Sequence, residues 1–442
     1  MANFLDKAIA AVSPIAGYRR ATARAALSIL NNGTGYGNYG ASHTSRAMRS
    51  WHVGGSSPKG DIEDNLDTLR KRSRDAYMGI PLAAGALKTL RTNVVGSGLV
   101  PTPQVDADYL HLTEEQADQL QAQITREFNL WADSTACDAS GMDNFWRLQT
   151  LAFISFLMNG DAFAALPMSE QVGQPYGLRV RVMEADRICS PDGYDRLAPC
   201  TVRGYEVHNI VQGVETNAEG RVVAYWVCNR HPLSDTSMLG SGLEWTRVEA
   251  RGELTGRRNI VHVITRERAG QLRGVPVLAP VLEALKQLGR YTEAEINAAV
   301  ISAMFTVFVQ PATATDDRPF GEMLPENMLI DAEDQGSVEL GNGAIVGLNP
   351  GETVSFADPK HPNAGYDKFT EAMIKQIGAA LEIPPEVISK QFSTSYSAAR
   401  GALNEFWRSC DVQRDDFVDS FCQPIYELSL IHISEPTRRV VI

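Results

Sequence analysis

Apolar residues recur at the three- and four-residue spacing of α-helices along much of this 442-residue chain. Pro81 should split the first helical segment in two, because proline lacks a backbone donor. Thr113, followed by Gln116 at the third helical position, predicts an N-cap with a capping box. Helices are predicted over residues 61–93, 112–131, 144–158, 276–308, 366–381 and 397–421.

Alternation of apolar and polar residues predicts β-hairpins over 175–265, with a tight turn at Asn217–Gly220. Within this segment, residues 232–256 are expected to form a loop or an irregular hairpin. Further strands are predicted over 162–167 and within 94–103. Helices and strands together predict an α+β fold, and the length allows two or three domains.

The chain carries a formal net charge of −12. A broad basic surface that grips nucleic acid is disfavoured, because such binding depends on Lys and Arg neutralising phosphates. A protein through which DNA passes is compatible with this charge, since tight phosphate binding would resist sliding. No apolar run reaches about 18–20 residues, so neither a spanning helix nor a membrane partner is predicted.

Residues 1–60 are predicted to form an N-terminal arm, because their second half is rich in Gly, Asn and Ser. Tyr39 and Trp51 are expected to anchor this arm on a neighbouring surface. Asp6 lies early in the chain and no basic segment precedes the first apolar stretch, so a signal peptide is not expected. The six cysteines form no CxxC pair, which favours free thiols over a disulfide or metal site.

Four basic residues, Arg70, Lys71, Arg72 and Arg74, lie within one or two predicted helical turns. Two interpretations stay open for this cluster. It forms a solvated or salt-bridged face, or it contacts DNA or a neighbouring subunit.

The stretch INAAVISAMFTVFV at 296–309 is apolar nearly all round the predicted helix. Such a helix is buried against other helices, which in a ring would belong to neighbouring subunits. The following residues, 311–340, hold eight Asp or Glu against one arginine, a formal charge of −7. Residues 341–356 predict short strands joined by tight turns.

The chain lacks the motifs GxxxxGK[ST], HExxH and GxSxG. The eight histidines are scattered, and His208, His231 and His262 are not at ligand spacing. A Ser/His/Asp triad assembled from distant residues stays open, since triads are defined in space. We therefore predict no catalytic residue, no metal site and no cofactor, and we favour a structural or conduit role over a hydrolase.

The segment Glu382–Cys410 is the most informative part of the chain. The pair Pro384–Pro385 should end one helix, and a new helix should start near Ser397. Between them lies a loop of Ser, Thr, Phe and Tyr without catalytic residues. A polar loop held between two long helices suits contact with a long, moving ligand.

Ordered sequence blocks along the chain carry a resemblance to a known family. From Ile15 to Tyr426 the chain resembles the portal proteins of tailed phages, in the lambda-type branch. The blocks are YGAS (39–42), LRKRSRDAY (69–77), NVVGSGLVP (93–101), GMDNF (141–145), NGDAF (159–163), NIVQGVE (209–215), GRVVAYWV (220–227), HVITRERAGQLRGVPVLAPVL (262–282), GLNPGETVSFADPKHP (347–362) and SYSAAR (395–400).

The resemblance implies a closed ring, usually of twelve subunits, at one vertex of the phage head. Each subunit should have a wing, a two-helix stem, a small clip, a tunnel loop facing the channel, and a helical crown. The implied segments are 61–265 (wing), 266–310 (first stem helix region), 311–356 (clip), 357–386 (second stem helix), 387–400 (tunnel loop) and 401–427 (helix toward the crown).

Two groups of site residues follow from this resemblance. Arg400 is either a helix residue bonded to a neighbouring subunit or a phosphate contact. The tunnel-loop residues expected to meet DNA are Gln391, Phe392, Ser393, Thr394, Ser395, Tyr396 and Arg400. The acidic clip residues expected to dock a partner are Asp316, Asp317, Glu322, Glu326, Asp331, Glu333 and Asp334.

The implied partners are further copies of the chain, double-stranded DNA in the channel, the terminase large subunit, the major capsid and scaffold proteins, and a head–tail adaptor. The implied location is the capsid vertex of the virion, after assembly in the bacterial host cytoplasm. The ring is also expected to initiate capsid assembly. A different head–tail adaptor or virion interaction protein is the alternative.

Residues Leu428–Ile442 depart from the family pattern. LSLIHISEPTR at 428–438 resembles the in-frame translation of a transposon-end sequencing adapter. This tail is therefore expected to be an artefact, with most of the crown missing.

Overall fold

The computed structural model describes residues 50, 54–169, 175–234, 242–304, 307–309, 345–347, 365–392 and 395–434. The chain divides into two units, Met1–Ser57 and Pro58–Ile442. All helices and strands below belong to the second unit, and their mixture confirms the predicted α+β class. The arm residues Tyr39 and Trp51 lie outside the described residues.

Three helices open the second unit. Helix α1 spans Pro58–Asp61, a 3-10 turn covers Glu63–Asn65, α2 spans Leu66–Gly79, and α3 spans Pro81–Val94. Pro81 lies in the first turn of α3, where its missing N–H costs no helical hydrogen bond. The predicted split at this proline is confirmed.

Two longer helices follow, α4 over Glu114–Asp133 and α5 over Phe145–Asn159. The Thr113 hydroxyl accepts a hydrogen bond from the Gln116 N–H at 3.3 Å. In return, the Gln116 side chain accepts one from the Thr113 N–H at 3.0 Å. Both the predicted capping box and the predicted helix over 144–158 are confirmed.

The strand predicted within 94–103 is wrong, because this segment forms the end of a helix, a turn and irregular backbone without strand pairing. The Leu99 N–H donates to Gln149 Oε1 at 2.7 Å, and the Leu99 carbonyl accepts from Gln149 Nε2 at 3.1 Å. These backbone groups are the ones that would otherwise pair with a neighbouring strand. A side chain from α5 therefore replaces the partner strand.

The β-rich region forms antiparallel sheets between α5 and the next long helix, as predicted. One sheet has the order β2-β1-β9, a second has the order β5-β6-β7-β8, and β3 pairs with β4. The strands are β1 (Asp161–Ala165), β2 (Arg181–Met183), β3 (Cys200–Val202), β4 (Tyr205–Val207), β5 (Asn209–Val211), β6 (Val214–Thr216), β7 (Val222–Cys228), β8 (Trp245–Glu249) and β9 (Ile260–Ile264).

Strand β8 lies inside 232–256, where only a loop or an irregular hairpin was expected. It pairs with β7, from Cys228 opposite Trp245 to Ala224 opposite Glu249. The Arg247 guanidinium contributes two hydrogen bonds of 2.9 Å to the Glu215 carboxylate on β6. The local sequence pattern of residues 232–256 does not indicate this ion pair between Arg247 and Glu215.

Helix α6 spans Leu282–Met304 and follows a 3-10 turn at Ala279–Val281. The helix predicted over 276–308 is therefore too long at both ends. Strand β10 (Val307–Val309) comes next and pairs in parallel with β11 (Ile345–Gly347). Valine and isoleucine favour extended backbone, because their branched β-carbons fit a pleated strand.

The C-terminal part confirms the helices predicted over 366–381 and 397–421, although the second is part of a helical run that continues through a π-helical turn to Ser434. A short helix between them was not predicted. The elements are α7 (Tyr366–Ala380), α8 (Pro385–Ser389), α9 (Tyr396–Phe417), a π-helical turn (Val418–Cys422) and α10 (Gln423–Ser434).

Helix α10 extends into the tail that was predicted to be an adapter artefact. Leu428 and Ser429 are buried there. The origin of residues 428–442 stays a prediction.

The main core joins α3, α4, α5 and α9 to the first sheet. Phe145 and Phe421 stack with ring centroids 6.2 Å apart, and Phe421 stacks on Phe417 at 5.2 Å. Leu278, Val281, Leu285 and Leu288 are buried in the same core, as their helical spacing predicts.

Candidate functional site

The predicted tunnel loop begins after a sharp turn that ends α7. Glu382 has φ +56°, in the left-handed region that non-glycine residues seldom adopt. The Ile383 N–H donates to the Gly378 carbonyl at 2.9 Å, which closes the turn. Ile383 is buried, so the chain is fixed to the core before the loop starts.

Helix α8 forms the first anchor of the loop. Val387 and Ile388 are buried in the main core. Lys390 follows at φ +58° and donates from Nζ to Thr89 Oγ1 on α3 at 3.1 Å. The backbone is therefore tied down up to the residue before Gln391.

Helix α9 forms the second anchor. Ser395 caps it, since the Ser395 hydroxyl accepts from the Ala398 N–H at 3.4 Å. Phe406 and Cys410 are buried along its inner face. Arg414 donates to two carbonyl oxygens at the end of α3, so α9 is bonded to α3 as α8 is.

The surface between the anchors is apolar and aromatic. Phe392, Tyr396 and Trp407 are 59%, 79% and 50% exposed. They border an open groove of about 570 Å³ along the outer face of α9. The lining residues are Phe392, Tyr396, Ala399, Arg400, Leu403, Asn404 and Trp407.

The charge of this loop is opposite in sign to the net charge of the chain. Lys390 and Arg400 are basic, and no acidic residue lies between them. Arg400 is exposed and forms no ion pair with any residue that the structure describes. An exposed, locally basic loop can meet an anion without the cost of first breaking an ion pair.

The predicted site residues are only partly within the described residues. Gln391, Phe392, Ser395, Tyr396 and Arg400 are all exposed. Ser393 and Thr394 of the loop lie outside the described residues. So do all seven predicted clip residues, Asp316, Asp317, Glu322, Glu326, Asp331, Glu333 and Asp334.

The basic cluster on α2 is not a uniform solvated or binding face. Lys71 and Arg72 are exposed, but Arg70 is fully buried. The Arg70 guanidinium donates to Asp161 Oδ1 at 2.9 Å, and Arg74 pairs with Asp186 at 2.5 Å. The salt-bridged interpretation is therefore correct for the two arginines that point inward.

Asp161, the first residue of β1, is shared by two buried arginines. Arg273 donates from Nε to Asp161 Oδ2 at 2.6 Å, opposite the Arg70 contact. Arg273 also donates to the carbonyls of Ile188 and Ala185, each at 2.8 Å. The three charged side chains join α2, the start of β1 and the loop before α6.

Burial and charge compete at this cluster. Burial by itself would raise the pKa of Asp161, but the charges of Arg273 and Arg70 outweigh it and hold that pKa well below its usual range. Burial lowers the pKa of Arg70 to about 10 against the opposing charge of Asp161. Each of these buried side chains is therefore charged at an acceptable energetic cost only while a side chain of opposite charge lies beside it.

His262 lies beside this cluster on β9. Its ring stacks on Phe163 with centroids 4.2 Å apart, and Nε2 lies 3.6 Å from Asp161 Oδ2, too far for a hydrogen bond. Burial lowers the pKa of His262, and the nearby Asp161 carboxylate offsets this only in part. The imidazole is therefore neutral in the folded protein near neutral pH.

Acidification from about pH 7 to about pH 5 should destabilise the protein through His262. The unfolded imidazole binds a proton below about pH 6.5, whereas the folded one resists it, so stability falls with pH in this window. Melting temperatures across the window, compared between wild type and His262→Gln, measure this contribution. The wild type should lose more stability than the variant.

His208→Gln is the matched control, because His208 is exposed. Its pH profile should parallel that of the wild type. Asp161 adds its own loss only below about pH 3.8, where an unfolded carboxylate is protonated. Equal slopes for wild type and His262→Gln would contradict the assignment.

Elsewhere in the described part of the chain, few side chains suited to metal binding or catalysis lie close together. There, no three His, Cys, Asp or Glu side chains form a group able to hold a metal ion. None of the helices within those ranges is long and apolar enough to cross a membrane. The six cysteines are free thiols, and burial raises the pKa of Cys137 to about 12.

Comparison with known proteins gives a consistent result. The family described as phage portal protein, lambda family, matches residues 44–414. Portal protein B of Escherichia phage lambda is 21% identical over 383 residues, covering 81% of this chain and 67% of the lambda protein. The portal protein of Escherichia phage N15 is 21% identical over 376 residues, with 81% and 68% covered.

A probable portal protein of Halomonas phage phiHAP-1 is 24% identical over 342 residues, covering 76% of this chain and 60% of that protein. Among solved structures, a chain from the neck of a native gene transfer agent particle, computed with C12 symmetry, has a TM-score of 0.40 and 13% identity. The match covers 78% of this chain and 75% of that chain.

Proposed function

Because the chain belongs to the lambda family of phage portal proteins, we propose that it forms the ring at the unique capsid vertex through which DNA is packaged and ejected. The match to residues 44–414 is the observation that carries this proposal. Portal proteins are structural components of the virion rather than enzymes. The ring would contain twelve subunits and would assemble in the cytoplasm of the host cell, where it would also initiate capsid assembly.

In this proposal, residues 391–396 touch the DNA in the channel. Three observations support that role: Gln391, Phe392, Ser395 and Tyr396 are exposed, the flanks of the segment are anchored to α3, and the segment contains no acidic residue. Duplex DNA carries one negative charge per about 1.7 Å of its axis. Short polar side chains and exposed aromatic rings can touch passing DNA without the dense basic surface that would stop sliding.

The acidic residues of 311–340 are proposed to dock a basic face of the packaging motor or of a head–tail adaptor. Their support is the charge of −7 in a segment with one arginine. Opposite charges on two partners speed association and select the correct partner. The terminase large subunit, the adaptor, and the major capsid and scaffold proteins are the partners of this proposal.

Replacement of Gln391–Tyr396 by a glycine linker should impair DNA packaging or retention but leave rings intact. The anchors Ile388 and Phe406 lie outside the replaced segment and keep α8 and α9 in place. Negative-stain microscopy would count rings, and DNase-protected DNA per particle would measure packaging in a complementation assay.

The exposed loop of similar length at residues 106–111 offers a control site for the same linker. That variant should package normally. Normal packaging by the Gln391–Tyr396 replacement would refute the role of the loop. Absence of rings in the wild type would refute the portal proposal itself.

A further inference from the structure

The outer face of α9 carries a stripe of three side chains at helical spacing, Arg400, Leu403 and Trp407. Trp407 is 50% exposed and Leu403 is only partly covered. A half-exposed tryptophan beside an exposed arginine has the composition of an interface hot spot, in which Trp and Arg dominate. This α9 stripe begins one turn beyond the loop assigned to DNA.

DNA is a poor occupant for this stripe. Leucine offers no donor to a phosphate oxygen and tryptophan offers only its indole N–H, whereas burying both against another protein surface removes apolar area from water. The groove beside the stripe is also lined by Ala399 and Asn404, neither of which is basic. The chemistry therefore favours a protein surface that offers apolar side chains and one carboxylate.

A second copy of this chain has such a surface on α6. Among the described helices other than α9, only α6 exposes two large apolar side chains, Ile296 at 58% and Val300 at 47%. Glu293 lies one turn before Ile296 on the same face, is exposed, and forms no ion pair with a described residue. Glu293, Ile296 and Val300 form the α6 stripe.

The two stripes are complementary in both charge and polarity. Each has one charge without an ion pair among the described residues, followed at three and seven positions by apolar side chains, and the two charges are opposite. A closed ring requires two different surfaces on each subunit that fit each other, because its contacts run head to tail. One chain thus supplies both halves of a ring contact.

We propose that the α9 stripe of one subunit packs on the α6 stripe of its neighbour, with Arg400 paired to Glu293 across the interface. This inference rests on the proposed ring and names the residues that would close it. It assigns Arg400 to the neighbouring subunit rather than to a DNA phosphate.

Reversal of one charge should weaken ring assembly, and reversal of both should restore it. Arg400→Glu and Glu293→Arg each place like charges together, so each should raise the protein concentration needed for rings about tenfold or more. The double variant restores an ion pair in which the two charges have exchanged places. Analytical ultracentrifugation of the full chain across a concentration series measures the ring fraction.

Arg408→Glu is the matched control, because Arg408 is an exposed arginine on the same helix but outside the stripe. It should assemble like the wild type. Circular dichroism should show that all variants fold, since every changed residue is exposed.

Four outcomes have distinct meanings. Loss in both single variants with rescue in the double variant supports the pairing, and loss without rescue overturns it. Wild-type assembly of Arg400→Glu, together with loss of retained DNA, would assign Arg400 to the channel and also overturn it. If the wild type itself forms no ring, the portal proposal fails and the pairing falls with it.

Discussion

Asp161→Asn should lower the free energy of unfolding by about 3–5 kcal/mol, the usual cost of removing one partner from a buried ion pair. The carboxylate is fully buried and accepts from Arg70 at 2.9 Å and from Arg273 at 2.6 Å. Asparagine removes the carboxylate that both buried guanidinium groups share, and leaves Arg70 only its longer contact of 3.5 Å with Asp186. The mutual repulsion of the two arginines and the desolvation of Arg273 are then no longer offset by a shared carboxylate.

The measurement is a denaturant titration of the purified variant beside the wild type. Asp75→Asn is the matched control, since Asp75 is an exposed residue of α2 in the same region of the fold. It should leave the midpoint nearly unchanged. A midpoint for Asp161→Asn equal to that of the control would show that the cluster does not stabilise the fold as its geometry implies.

Local signals in the sequence predicted much of the fold correctly. The Pro81 break, the Thr113 cap and the hairpin turn at Asn217–Gly220 each depend on residues within a few positions of one another. Residue spacing and the known preferences of turn and cap residues are enough to predict such local features.

The failures have a different origin, because each depends on a partner far along the chain. Gln149 replaces the strand expected at Leu99 although 50 positions separate them. Arg70 was grouped with exposed neighbours because Asp161 lies 91 positions away. An aspartate that opens the apolar strand DAFAA was the available signal that a buried cation lies near.

The candidate loop was predicted from its polar composition between two helices, and the exposure of Gln391, Phe392, Ser395 and Tyr396 agrees with that pattern. Helix α8 was missed because Pro384–Pro385 indicates a break, whereas Pro385 in fact starts a short helix. The sequence pattern predicted the helices but did not identify the α6 and α9 stripes on them. Only side-chain exposure distinguishes Ile296 from Leu285 on the same helix.

Gly160→Ala should destabilise the protein by about 2–5 kcal/mol, since it combines a left-handed backbone with a backbone clash. Gly160 has φ +86°, and an added Cβ would lie 2.4 Å from the carbonyl carbon of Gly274. The neighbouring atoms are backbone, so they cannot move aside as a flexible side chain would. The strain would also fall on Asp161 and Arg273, which adjoin the two glycines in sequence.

Gly141→Ala separates the two components of this cost. Gly141 also has a positive φ, +72°, but an added Cβ would meet nothing within 4 Å. That variant should lose only about 1–2 kcal/mol, the cost of the left-handed backbone. Thermal melts of both variants measure the difference, which is the contribution of the close approach between Gly160 and Gly274. Equal losses for the two variants would mean that the backbone at Gly274 moves to make room for the new Cβ. The backbone around the Asp161–Arg273 pair would then be less rigid than the burial of the pair implies.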